Sequence, residues 1–129
     1  MLLIALALAG ATAAEDCGDK DNQSAMTLCQ KAVADRADAE MNRVWKTVQA
    51  AMQQADRDDG GDRVGKGEPS YAQALLASQR AWLAFRDAQC RIASYEWRGG
   101  SMEPFAYHQC LAAVTSARTQ QLRELHWDR

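Results

Sequence analysis

Apolar residues recur along this chain at three- and four-residue steps in three separate runs. The first takes in Met26, Cys29, Val33, Ala37, Met41, Val44, Val48 and Met52 with no proline or glycine between them, and Trp45 widens the stripe. This spacing predicts one long amphipathic helix with Asn22 or Ser24 as its N-cap, running to about Ala55, roughly 45 Å at 1.5 Å per residue. A helix of that length cannot pack on itself and needs partners of similar length. The second run is the densest signal. Leu75, Gln79, Trp82, Leu83, Arg86 and Cys90 share one side of a helix that starts near Ser70 or Tyr71 and continues through Ile92, Tyr95 and Trp97 until Gly99 and Gly100 stop it. For the third, Ser101 is the expected cap, Pro104 falls in the first turn, and Tyr107, Leu111, Val114, Leu122 and Leu125 carry the apolar side.

Between the first two runs lies Asp56 to Ser70, DRDDGGDRVGKGEPS, which reads as a flexible, solvated loop. Its aspartates do not make a calcium loop, because Gly60 and Gly67 stand where the fifth and last ligands of an EF-hand belong. No stretch alternates with the period of a strand, and there is no internal repeat. The expected fold is all-α: three long helices in an up-down-up bundle.

The amino terminus changes the picture of where the chain folds. Leu2 to Ala9 is an apolar run too short to span a bilayer, followed by small residues that suit cleavage after Ala13 or Ala14. Residues 1–14 are thus expected to be a secretory signal and 15–129 a single domain, periplasmic or secreted. Cys17 lacks the preceding leucine-small-small triplet of a lipid-attachment site, so no membrane anchor is expected. Cys17, Cys29, Cys90 and Cys110 then fold where thiols oxidise, and two disulfides should brace the bundle. Cys90 and Cys110 stand at matching heights in a hairpin turning at Gly99 and Gly100, and an extended leader lets Cys17 reach Cys29. The other two connectivities remain open, since spacing does not fix pairing.

Charge is mild overall but uneven: residues 15–68 carry twelve acidic against eight basic side chains, and residues 69–129 five against seven. That balance argues against a nucleic-acid partner. His108 and His126 have no carboxylate or cysteine at ligand spacing, and no nucleophile, base and orienter recur together, so neither metal, cofactor nor enzyme is expected. Gln79, Arg86, Asn42, Thr115 and Arg118 form either a ligand-binding cluster or a polar network tying the three helices in register. The structural role is favoured, because an arginine beside tryptophan on a helix face buries its stem and directs its guanidinium to internal acceptors.

The order Cys17 to Cys29, ADAEMNRVWKTV, LLASQRAWLAFRDAQC, GGS, Cys110 and VTSARTQQL resembles the LprI-like family of secreted lysozyme-inhibitor domains, from Cys17 to about Leu125. Trp45 stands where that family usually has tyrosine. The resemblance implies a secreted binding protein that inhibits lysozyme-type cell-wall hydrolases; the alternative is a cell-envelope protein-interaction module without inhibitory activity. If inhibition holds, the partner is a protein, such as a basic lysozyme steered by the acidic excess of residues 15–68. The blocking group then need only occlude or hydrogen-bond the two carboxylates of a glycosidase cleft. Arg98, the amides of Gly99 and Gly100, and the Ser101 hydroxyl are the expected partner-binding group.

Overall fold

The computed structural model describes residues 16–61 and 67–127; the expected signal segment lies outside them. Three α-helices follow one another: α1 spans Gln23–Asp59, α2 Tyr71–Ser94 and α3 Glu103–Glu124, with short 3-10 turns at Cys17–Asp19 and Tyr95–Trp97. The bundle is the expected all-α architecture, and among the described residues there is no strand.

Each helix end has a physical cause. The Asn22 side chain accepts from the Ala25 amide at 2.9 Å and starts α1. Gly60, at φ 57°, ends it in the left-handed conformation, with its N–H on the Asp56 carbonyl at 3.2 Å. The helix therefore runs past the expected end at Ala55, and Asp56, Asp58 and Asp59 belong to it rather than to the loop. The apolar steps end at Met52 and glycines and charges follow, which is why the pattern argued for an earlier stop; carboxylates at a helix C-terminus also oppose its dipole. Asp56 escapes that cost because its two oxygens accept the Tyr71 and Ala72 amides at 2.8 and 3.1 Å, where the positive end of α2 begins.

Ser70 and Gln73 close a capping box at the start of α2. At its other end the helix tightens into 3-10 geometry after Ser94 instead of staying α-helical through Trp97. Gly99 then turns the chain at φ 78°. Ser101 is not the cap of α3. Met102 precedes the helix with no side-chain cap bond, Pro104 lies in the first turn, and the Glu103 carboxylate reaches back to the Gly99 amide at 2.8 Å.

The apolar core consists of Met41, Val48, Met52, Leu75 and Leu122, flanked by Val44, Trp45, Tyr71, Ala72, Trp82 and Leu125. It occupies the end of the bundle where α1 hands over to α2. The opposite end is held covalently: Cys17 bonds Cys29 and Cys90 bonds Cys110, with Cα separations of 5.5 and 5.4 Å. There the Gln23 amide also meets the Met102 sulfur. α1 and α3 share the most extensive interface, and α2 is the least embedded helix, burying only Leu75, Gln79, Cys90 and Ser94.

Candidate functional site

Two places in the bundle gather the residues singled out in the sequence. In the middle, α3 presents Arg118, which is buried although charged. Its Nε donates to the Gln79 side-chain oxygen at 3.0 Å, one terminal nitrogen to the Ser78 hydroxyl at 3.0 Å and the other to Gln121 at 3.4 Å. Burial lowers the Arg118 pKa from its ordinary value, yet a guanidinium stays protonated in neutral water. Gln79 turns its amide nitrogen towards the Met41 sulfur on α1 at 3.6 Å, so one glutamine joins all three helices.

Arg86 lies beside this group but bonds elsewhere. It donates to Asp38 of α1 and to Asp87, both at 3.1 Å. Trp82 connects the two arginines, with the Arg86 and Arg118 guanidinium carbons 5.3 and 5.8 Å from its ring centroid. Asn42 is exposed and meets only Asp38, at 3.4 Å, so it stays outside the Gln79–Arg118 group. Thr115 is buried, and its carbonyl accepts the Thr119 hydroxyl at 3.1 Å. Asp38 and Ser78 are the members sequence reasoning missed. Asp38 sits four residues before Asn42, a helical neighbour, but nothing local pairs it with an arginine in another helix. Among the described residues no buried side-chain nitrogen or oxygen lacks a partner, so this centre is internally satisfied.

The second place is the turn between α2 and α3. An open cleft of about 450 Å³ is lined by Arg91, Ser94, Gly99, Gly100, Glu103, Pro104 and Tyr107. Arg98 stacks on Tyr95, its guanidinium carbon 4.4 Å from the ring centroid. Ser101 is exposed. The glycine amides are engaged, however: Gly99 donates to Glu103 and Gly100 to the Trp97 carbonyl at 2.9 Å. They hold the turn in shape and are not open donors, so what the turn can offer an acceptor is Arg91, Arg98 and the Ser101 hydroxyl. Among the described residues neither arginine forms an ion pair.

His108 packs near α1. Burial lowers its pKa, Lys31 adds to the effect and Asp35 opposes it, so the neutral imidazole is favoured. Its folded-state pKa lies below the unfolded value, and protonation below that unfolded value works against the fold. Among the described residues no group of three or more His, Cys, Asp or Glu side chains is placed to hold a metal, and no helix is long and apolar enough to cross a membrane.

The family described as lysozyme inhibitor LprI matches residues 13–122, and the chain belongs to that family. It is 41% identical over 129 residues to the uncharacterized protein R02472 of Rhizobium meliloti (strain 1021), covering 97% of this chain and 89% of the relative. It is 27% identical over 121 residues to the uncharacterized protein YecT of Escherichia coli (strain K12), covering 87% of this chain and 72% of the relative. No solved structure matches significantly.

Proposed function

We propose that this LprI-family chain is exported and inhibits a lysozyme-type cell-wall hydrolase, with the α2–α3 turn as the blocking element. The family match over residues 13–122 carries this reading. Two disulfides support a location outside the reducing cytoplasm. Inhibition needs no chemistry. A glycosidase cleft works through two carboxylates, and hydrogen-bond donors inserted between them occlude the sugar and pair with the acids. Arg91 lines the open cleft at one end of the bundle, Arg98 and Ser101 flank the two glycines that line it, and these three side chains supply such donors. The acidic excess of residues 15–68 suits attraction to a basic hydrolase, which makes association faster at low salt.

The Gln79–Arg118 group and the Arg86–Asp38 pair act, in this reading, as a brace between helices. An Arg86→Ala chain that kept its thermal stability while losing inhibition would reverse that assignment.

The test is a cell-wall lysis assay with a basic animal-type lysozyme and with a bacterial one. The parent slows lysis at micromolar excess in low salt, and Arg98→Ala/Ser101→Ala weakens it while leaving the melting curve unchanged. No effect of the parent on either hydrolase would discard the inhibitor reading in favour of an interaction module without inhibitory activity.

A further inference from the structure

The outward side of α2 is not what water usually selects. Phe85 is 56% exposed and Ile92 61% exposed, one above the other at seven-residue spacing. Beside them Ala74, Ala77, Ala81, Ala84 and Ala88 are all exposed and step by three, four, three and four residues. Together they form an apolar stripe on the side of the helix turned away from Leu75, Gln79, Arg86 and Cys90. A solvated face of a surface helix would carry charges there; this one places them only along one margin, at Arg80, Asp87 and Arg91.

We propose that this face binds the same face of a second copy of the chain, the two α2 helices running antiparallel about a twofold axis near Trp82 and Leu83. The stripe is complementary to itself in both shape and charge. In an antiparallel pair, heptad-spaced residues of one helix fall between those of the other, and the alanines set Ala81 of each copy against Ala84 of the other and Ala77 against Ala88. Phe85 of each copy then lies over Ser78 and Ala81 of the other, so the same surface holds both the projection and the depression that receives it. On the opposite margin, Arg80 of each copy faces Asp87 of the other, giving two symmetry-related pairs. Both groups are available. Among the described residues Arg80 has no carboxylate partner, and the Asp87 side chain is 58% exposed while sharing one oxygen with Arg86 of its own chain.

Self-pairing is favoured over an unrelated partner because the margin carries both signs seven residues apart. A twofold axis turns that spacing into two attractive contacts, whereas a partner of one charge would meet repulsion at one of the two positions. The stripe ends at Ile92, before Arg98 and Ser101 of the turn, and Arg91 is the residue that borders both the stripe and the cleft.

Sedimentation velocity on the oxidised protein, with no hydrolase present, tests this directly. A concentration-dependent species of twice the monomer mass is expected. Phe85→Lys abolishes it, with circular dichroism showing an intact fold. Arg80→Asp or Asp87→Arg alone weakens association by roughly tenfold by replacing attraction with repulsion at two places, and Arg80→Asp/Asp87→Arg together restores it. A chain that stays monomeric up to near-millimolar concentration would overturn the proposal. So would a dimer whose affinity ignores both single charge reversals, or one whose affinity the double reversal does not recover. Since the readout is mass, its failure leaves the lysis assay unaffected, and the reverse holds as well.

Discussion

The two ends of this bundle are held by different physics. At one end Met41, Val48, Met52, Leu75 and Leu122 interlock with no covalent help, and Leu122 is wholly buried. At the other, few large side chains are buried, and two disulfides with a self-bonded turn take over. A small domain has too little interior to build an apolar core along its full length, and crosslinks at the thin end supply what packing cannot. The asymmetry also separates roles: the packed end carries the register of the helices, while the crosslinked end can expose arginines and a cleft without losing its shape.

Breaking the packed end should have the largest effect. Leu122→Ala opens a cavity where all three helices meet and should lower stability by about 3 to 4 kcal/mol, read from urea unfolding at constant slope. The crosslinked end is its counterpart. Cys90→Ser/Cys110→Ser frees a bridge that closes twenty residues of chain and should cost about 3 kcal/mol in the chain-entropy view. Hydrogen exchange sharpens the contrast, because amides around Leu75 should stay protected in the serine variant and lose protection in Leu122→Ala. Equal loss of protection at both ends in both variants would erase the distinction.

The smallest change concerns how the packed end is tied together. Asp56→Ala removes the carboxylate that receives the first two amides of α2, and a loss of about 1 kcal/mol is expected. If Asp56→Ala is as stable as the parent, those amides are served equally well by water and the junction contributes nothing.

The residues that decide the fold were legible because their signal is local. Helical periodicity, the Asn22 cap, the Gly99 and Gly100 stop and Pro104 near the start of α3 each act within a turn or two of chain, so the three helices and their order follow from the sequence alone. The matching heights of Cys90 and Cys110 follow from helix geometry around that turn. Contacts between helices carry no such local mark. That Asp56 caps α2, that Asp38 receives Arg86, and that Gln79 rather than Asn42 joins Arg118 depended on how far each helix is rotated and slid against its neighbours. The glycine amides at the turn looked available for the same reason, until the fold directed the Glu103 carboxylate onto one of them. The exposure of Phe85 and Ile92 has no local mark in the sequence either. Only the docking of α1 and α3 against the other side of α2 left them facing water, because a three-helix bundle offers each helix two neighbours and α2 meets both through a single face.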